Sequence, residues 1–243
     1  MNSPPLPRNF ARSLSDKVTQ SMTPMFAPVQ ASVQRTTQKI MAEAAAISSG
    51  TLDYALLLGA ALGLLFGLAL PVNLSGNLDL ANTIVQGSLF GRVASVVVVF
   101  VISVRVILAR GMRDQSWVAV DDGHHVMLRH IAASSWAAVV ALFYFLLAAM
   151  AGYCLGLFIG LPGLATDMLG QLADGYSLGD LAHVTLRVLV QAAAVAWISF
   201  FDMILLSQHR EELSRSVTRK LLLVLAAVIG LEALDAYLIW IFF

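Results

Sequence analysis

The sequence predicts an all-α membrane protein, a bundle of about five transmembrane helices. Of the 243 residues, 58% are hydrophobic and only 12% are charged, whereas an ordinary soluble domain carries roughly twice that share of charge. The apolar residues form long continuous runs, as helices in lipid require, and not the alternating ten-residue segments of a membrane β-barrel. We therefore expect the chain to fold in a bilayer.

The N-terminal region precedes the first apolar run. Residues 1–20 are rich in proline and polar residues, and we expect a flexible tail there. Over residues 21–50 apolar side chains recur at helical spacing among polar ones, which predicts an amphipathic helix lying on the membrane interface. Residues 1–50 contain no apolar stretch of the kind found in a cleavable signal peptide, so we expect this region to be retained.

Residues 51–243 are predicted to form the transmembrane domain. A helix needs about 20 apolar residues to cross a hydrocarbon layer of ~30 Å, and five segments meet this condition. They are Leu52–Leu70, Leu89–Ala109, Ile131–Gly160, Val184–Leu206 and Leu221–Phe243.

The positions of Lys and Arg predict the orientation of these spans. The connections over Pro71–Gln86 and Leu161–His183 contain aspartates but neither Lys nor Arg, whereas residues 1–50, 110–130 and 207–220 hold nearly all the cationic side chains. Because cationic loops stay on the cytoplasmic side, we expect the N-terminus and the loop 110–130 in the cytoplasm and the C-terminus outside.

Two glycine ladders indicate where helices approach each other closely. Within each ladder the glycines are four residues apart and so lie on one helix face. The first ladder is Gly59, Gly63 and Gly67, and the second is Gly152, Gly156 and Gly160. They predict helix packing within the chain; the alternative is a dimer seam or a face that slides during a transport cycle.

Charged side chains within the apolar runs are costly and usually face protein or a water-filled cavity. Six of them are candidates for a substrate path or for intramembrane ion pairs: Arg92, Arg105, Arg187, Asp202, Glu232 and Asp235. Glu232 and Asp235 are three residues apart, so they share a helix face and could meet Arg92, Arg105 or Arg187 across the bundle.

The loop 110–130 is either padding at the membrane surface or a docking element for a cytoplasmic partner. Its candidate docking residues are Arg113, Trp117, Asp121 and Asp122. The loop also combines His and Asp, but it has no metal-site signature, and the chain contains no nucleotide-binding or hydrolase motif. We therefore predict no metal, no cofactor and no enzyme activity, and the zero net charge gives no reason to expect nucleic acid as a partner.

Several short patterns occur in a definite order in the second half of the chain. They are Val118-Ala119-Val120-Asp121 followed by Trp136, Asp180-Leu181 with Arg187 seven residues after the aspartate, Trp197-Ile198-Ser199 with Phe201, Ser214-Arg215 with Thr218-Arg219, and Gly230-Leu231; Gly91-Arg92 precedes them. In these patterns residues 118–243 resemble the MlaE family of ABC permeases, the membrane part of bacterial phospholipid transporters. The acidic residue that follows the Gly-Arg pair in that family is absent here.

The resemblance implies a permease of the bacterial inner membrane that forms a homodimer and passes lipid along a cavity between protomers. Its partners would be membrane lipids and a cytoplasmic ATPase docked on the loop after the second span. The alternative is a non-catalytic structural subunit of a larger envelope assembly, such as a secretion or conjugation machine. In that case Arg187, Glu232 and Asp235 would join subunits of a hetero-oligomer.

Overall fold

The computed structural model of the chain describes residues 32–73, 78–111, 123–206 and 213–242. For some residues near helix ends it describes the backbone alone, and these are 70–73, 78, 79, 81, 108–111, 123, 124, 200–206, 213–218, 220, 238–240 and 242. The described residues are helical apart from short turns, and none of them forms a strand. The predicted all-α class is confirmed.

The chain divides into two compact units, Met1–Met41 and Ala42–Phe243. In the first unit the described residues, 32–41, are helical, and residues 42–48 of the second unit are helical as well. The helical range 32–48 is called α1 here. The predicted amphipathic helix over 21–50 is thus helical from residue 32. The predicted tail, residues 1–20, lies outside the described residues.

The second unit contains seven further α-helices and a π-helical segment among its described residues. In chain order they are α2 (Leu52–Asn73), α3 (Leu78–Ile84), the π segment (Val85–Val93), α4 (Ala94–Gly111), α5 (Gly123–Gly160), α6 (Ala165–Gly175), α7 (Leu178–Leu206) and α8 (Leu213–Phe242).

Four helical segments among the described residues are long and apolar enough to cross a membrane. They are Leu52–Ala69, Asn82–Ile107, His125–Gly160 and Leu178–Ser199. They correspond to the first four predicted spans, so the chain is a multi-pass membrane protein.

The predicted fifth span, Leu221–Phe243, lies on α8, which has 30 residues but is not among these four segments. Within the described residues the number of spans is therefore four and not five. Glu232 and Asp235 interrupt the apolar run of α8, and only the backbone is described for several residues near its ends.

Both connections that were expected to be loops contain short helices. Helix α3 lies within Pro71–Gln86 and leads through the π segment into α4, and α6 lies within Leu161–His183. The inner face of α6 carries Ala165, Met168 and Leu172, all fully buried. Helix α6 therefore packs against the bundle through this face.

Helix α7 begins six residues before the predicted span, and a capping box explains why. The backbone N–H and the hydroxyl of Ser177 both donate to Asp180 Oδ2, at 2.9 and 2.8 Å, and the Asp180 N–H donates to the Ser177 hydroxyl at 3.2 Å. Such reciprocal bonds satisfy N–H groups that the first turn of a helix leaves free. The Ser-x-x-Asp spacing fixes the start of α7 at Leu178.

The core of the second unit lies around α5, which packs along α2 and also contacts α4 and α7. Leu142, Phe145, Tyr153 and Leu157 of α5 are fully buried. With 38 residues, α5 is about 57 Å long, nearly twice the hydrocarbon thickness, so one end extends well beyond the apolar layer. The polar first turns of α5 make its N-terminal end the one that extends.

Candidate functional site

Arg187 is the centre of a charged cluster between α7 and α8. Its side chain is only 8% exposed, its Nη2 donates a hydrogen bond to Asp235 Oδ2, and its Nη1 lies 3.6 Å from Glu232 Oε2. Both carboxylates lie on one face of α8, as their spacing of three predicts. Among the arginines that the sequence offered as partners, Arg187 is the one that contacts this face.

Glu232 accepts two further hydrogen bonds from other helices. Its Oε1 accepts from Ser95 Oγ of α4 at 2.9 Å and from Gln191 Nε2 of α7 at 2.7 Å, and both donors are 1% exposed or less. A carboxylate inside an apolar bundle is costly unless it is paired and hydrogen-bonded, and these contacts supply both. The cluster thus ties α4, α7 and α8 together at one level.

His183 lies one turn before Arg187 on α7 and joins the cluster at its exposed side. Its Nε2 lies 3.0 Å from Arg187 Nη2 and 3.8 Å from Asp235 Oδ1, and its side chain is 51% exposed. A guanidinium can only donate, so His183 Nε2 must accept. An Nε2 that accepts this bond carries no hydrogen of its own.

Sequence reasoning missed Ser95, Gln191 and His183 as members of this cluster. Ser95 and Gln191 carry no charge, so a search for charged intramembrane residues passes over them. A signal was nevertheless present, because His183 and Gln191 lie four residues before and after Arg187 and thus share its helix face.

A cavity of about 380 Å³ lies beside the cluster, at the end of the bundle where α6 ends and α7 begins. This volume falls within the range of ordinary ligand pockets. The charged and ionisable residues of its wall include Arg92, Asp180, His183 and Arg187. The cavity is therefore a half-open, partly polar chamber at one end of an otherwise apolar bundle.

Arg92 is the exposed cation of the cavity wall. It belongs to the π segment, and it forms no ion pair with any carboxylate in the part of the chain that the structure describes. Arg187, in contrast, is neutralised by two carboxylates. Of the two arginines in the wall, Arg92 is thus the one whose charge is available to a ligand.

The π segment forms one side of the cavity through Gln86, Gly87 and Gly91, together with Arg92. π-Helical turns are rare and occur frequently at functional sites, because the wider turn displaces side chains from their α-helical positions. A Cβ on Gly87 would meet nothing within 4 Å. There is therefore open space next to Gly87 on the cavity side.

Tyr176, between α6 and α7, also lines the cavity. Its ring packs edge-on against Phe90 at a centroid distance of 6.0 Å, and its buried hydroxyl has no hydrogen-bond partner among the described residues. Burial raises the pKa of Tyr176, and the negative charge of Asp180 adds to the increase. Tyr176 is therefore a neutral, packed wall residue.

The remaining charged candidates lie apart from this site. Arg105, near the C-terminal end of α4, places its guanidinium where a Cβ on Gly50 would be only 2.5 Å away, in the turn between α1 and α2. The side chain of Asp202 lies outside the described residues, and so do the docking candidates Arg113, Trp117, Asp121 and Asp122. Their proposed roles stay predictions.

The two glycine ladders face each other between α2 and α5. A Cβ on Gly63 would lie 2.0 Å from the Ala149 carbonyl oxygen, and one on Gly152 would lie 2.2 Å from that of Ala60. Gly59, Gly67 and Gly156 make similarly close approaches, whereas a Cβ on Gly160 would meet its nearest atoms at 3.8 Å. Five of the six glycines thus serve packing within the chain, where their faces are already occupied.

A second charged cluster, which sequence reasoning also missed, joins α1 to the N-terminal part of α5. Glu43 Oε2 accepts a hydrogen bond from Arg129 Nε at 3.1 Å, and Glu43 Oε1 lies 2.8 Å from His130 Nδ1. Burial raises the pKa of Glu43, but the hydrogen bonds and positive charges of His130 and Arg129 outweigh it, and the pKa falls below its ordinary value. The carboxylate is therefore ionised and anchors α1.

This second cluster has the residue types of a catalytic triad, which are an acid, a base and a nucleophile. They would be Glu43, His130 and Ser134. Ser134 Oγ lies 3.5 Å from His130 Nε2, at the limit of a hydrogen bond. The two side chains are one turn apart on α5, and both residues are 3% exposed or less. A substrate carbonyl has no access to such a hydroxyl, so the contact is structural.

No three His, Cys, Asp or Glu side chains among the described residues lie close enough together to hold a metal ion. The cavity wall offers charged and hydrogen-bonding groups to a ligand.

The fold and the cavity define a multi-pass helical membrane protein with a charged site at one end of its bundle. A comparison with protein-family models and with curated protein sequences yields no match.

Proposed function

We propose that the chain is a permease-like subunit of an ABC-type phospholipid transporter in the bacterial inner membrane. The observation that carries this proposal is the cavity of about 380 Å³ beside the Arg187 cluster. A protein that only anchors itself in lipid gains nothing from a polar chamber, because buried polar groups in a bilayer are costly. A permease needs such a chamber for the polar part of its substrate.

The charges of the cavity suit a phospholipid headgroup. Arg92 offers an available cation for a phosphate, and Asp180 offers an anion for an amine. Large apolar side chains such as Leu186 and Val190 are exposed on α7 below the cavity. Acyl chains would lie along such a surface while the headgroup occupied the chamber.

The order of elements also supports the proposal. Helix α1 precedes the first span, as an interfacial helix does in the MlaE family, and the loop 110–130 falls between the second and third spans. Under the positive-inside rule this loop and α1 lie in the cytoplasm. The cavity then faces the periplasm, because the connections that surround it contain no Lys or Arg.

Purification from the native membrane tests the proposal directly. A permease of this kind should be extracted in detergent as a homodimer that retains a cytoplasmic ATPase. A monomer that brings no ATPase with it would remove the main support for this function.

Lipid transfer from labelled vesicles provides the second test. Arg92→Gln removes the available cation of the cavity and should lower transfer by about tenfold, the effect of losing one charge-assisted contact. Arg219→Gln is a matched control, because Arg219 is also an exposed arginine of the bundle but lies near the start of α8, away from the cavity. Equal transfer by both variants would contradict the role of the cavity.

A structural subunit of a larger envelope assembly is the second candidate. For this candidate Arg187, Glu232 and Asp235 were expected to join subunits, whereas in the structure they pair within the chain and stabilise the bundle. If that is their sole role, Arg92→Gln should leave function unchanged, whereas Arg187→Ala should disrupt assembly. Under the permease proposal Arg92→Gln reduces transport while the complex stays intact.

A further inference from the structure

One nitrogen of His183 has two competing neighbours. Its Nε2 lies 3.0 Å from Arg187 Nη2, which can only donate, and 3.8 Å from Asp235 Oδ1, which can only accept while it is ionised. A neutral imidazole can satisfy the arginine, and a protonated one can satisfy the aspartate. The same atom cannot satisfy both at once.

We propose that His183 and Asp235 form a proton-binding site in the wall of the cavity, and that His183 exchanges Arg187 for Asp235 when the proton binds. This site does not depend on the transported substrate, and it goes beyond the proposed permease function.

The formal charges of the cluster do not balance. Arg187 contributes one positive charge, whereas Glu232 and Asp235 contribute two negative ones, so the cluster has a deficit of one positive charge while His183 is neutral. Uncompensated charge in a low-dielectric bundle is costly. A proton on His183 removes this deficit.

Among the described residues that line the cavity, the other ionisable groups do not change that balance. Asp180 on α7 is negative and Arg92 on the π segment is positive, and both line the same cavity. Their formal charges cancel. Tyr176, between α6 and α7, is neutral because its pKa is raised.

The proton exchange requires only a local movement. A proton from water binds the lone pair of His183 Nε2, and the hydrogen bond from Arg187 Nη2 to that atom breaks. The new N–H donates to Asp235 Oδ1 once the present 3.8 Å separation closes. Arg187 keeps Glu232 and Asp235 Oδ2, so no carboxylate of the cluster loses its partner.

The His183 side chain is 51% exposed and lines the half-open cavity at the end of the bundle, which is the route by which water would reach the site. The other described histidine of a charged cluster, His130, is 3% exposed. When a proton binds His183, the N–H of Arg187 that was bonded to Nε2 becomes available in the cavity. Proton binding thus changes the hydrogen-bonding groups of the cavity wall.

Nitrogen NMR of the full chain in lipid nanodiscs, with ¹⁵N-labelled histidine, tests the proposal. The chain has five histidines, and the signals of His183 are those that disappear in His183→Gln. At about pH 8 we expect a neutral ring with a bare Nε2, and at about pH 5 a ring protonated on both nitrogens. A proton on Nε2 at the higher pH would overturn the assignment.

Asp235→Asn tests the carboxylate, and Asp180→Asn is its matched control. Asp180 is also close to His183, but it is bonded to the turn at Ser177. We expect Asp235→Asn to reduce the protonated fraction of His183 between about pH 8 and about pH 5 more than Asp180→Asn does, although Asp180 also interacts electrostatically with His183. Equal effects of the two variants would overturn the specific pairing.

A measurement on the unaltered chain covers the case in which Asp235→Asn does not fold. With ¹³C-labelled aspartate added, through-space transfer from His183 Nε2 to an aspartate carboxyl carbon should increase on acidification, because the 3.8 Å gap closes. Transfer that stays constant between about pH 8 and about pH 5 would overturn the proton exchange.

Discussion

Gly63→Ala should disrupt the packing of α2 on α5, because the added methyl has no room. A Cβ at Gly63 would lie 2.0 Å from the carbonyl oxygen of Ala149, 2.8 Å from its carbonyl carbon and 2.9 Å from its Cα. These are backbone atoms in the middle of α5, so no side-chain rotation can relieve the contact. The two helices would have to move apart by roughly 1 Å.

The cost follows from the loss of contacts along the whole interface. A gap of 0.5–1 Å removes roughly a quarter to a half of each van der Waals attraction, and overpacking of this kind typically costs about 1–3 kcal/mol. Alanine is also more favourable than glycine within a helix, by about 1 kcal/mol, and this gain partly offsets the loss. The steric cost must therefore be measured against a Gly→Ala change that has the same helical benefit.

Gly230→Ala supplies that reference. Gly230 lies within α8, and a Cβ there would meet nothing within 4 Å. We expect Gly63→Ala to be less stable than Gly230→Ala by about 1–3 kcal/mol.

Titration with SDS from mixed micelles, followed by circular dichroism, measures the free energy of unfolding of both variants. Cys154 is the only cysteine of the chain and lies half-buried on α5, so its alkylation rate reports on the unfolding of that helix. Coincident unfolding curves for the two variants, with equal alkylation rates, would refute the close approach of α2 and α5.

Three further results are expected. Glu43→Gln should remove an acid-dependent part of the free energy of unfolding. The pKa of Glu43 is lowered by His130, so the contribution of the carboxylate is present above its ordinary pKa and is lost as the pH falls through the lowered value. Unfolding measured at several pH values tests this. Gln191→Leu should lower the free energy of unfolding by about 1–3 kcal/mol, because Glu232 loses a buried donor. Arg92→Gln should change that free energy by less than about 0.5 kcal/mol while it reduces lipid transfer.

For each of these three predictions there is an outcome that would contradict it. Equal acid sensitivity of Glu43→Gln and the unaltered protein would show that the carboxylate carries no linked stability. Full stability of Gln191→Leu would mean that Glu232 does not need the amide. Unfolding of Arg92→Gln at much lower SDS would place Arg92 in the structure of the bundle and not in its site.

Composition and periodicity were sufficient to predict the fold class and most of the spans. Long apolar runs must be helical in lipid, since each backbone polar group needs a partner within its own segment. The spacing of four in the glycine ladders likewise predicted close helix packing. These properties depend on local sequence and on the solvent, and neither requires knowledge of which helices are neighbours.

The ends of the helices were less accessible to this reasoning. Hydropathy placed the start of the fourth span at Val184, whereas α7 begins at Leu178 because of the capping box between Ser177 and Asp180. Hydropathy averages over many residues and so overlooks a single turn. The Ser-x-x-Asp pattern was visible in the sequence and carries that information.

The composition of the site was decided by the tertiary structure. The sequence showed that Glu232 and Asp235 needed a cation and offered Arg92, Arg105 and Arg187, but spacing along one helix says nothing about the rotation of another. The packing of α7 on α8 selects Arg187 and brings in Gln191 and His183 from the same face. Arg92 lies in the cavity wall without a carboxylate partner among the described residues, whereas Arg187 is neutralised. The candidate site therefore depends on Arg92 as the available cation.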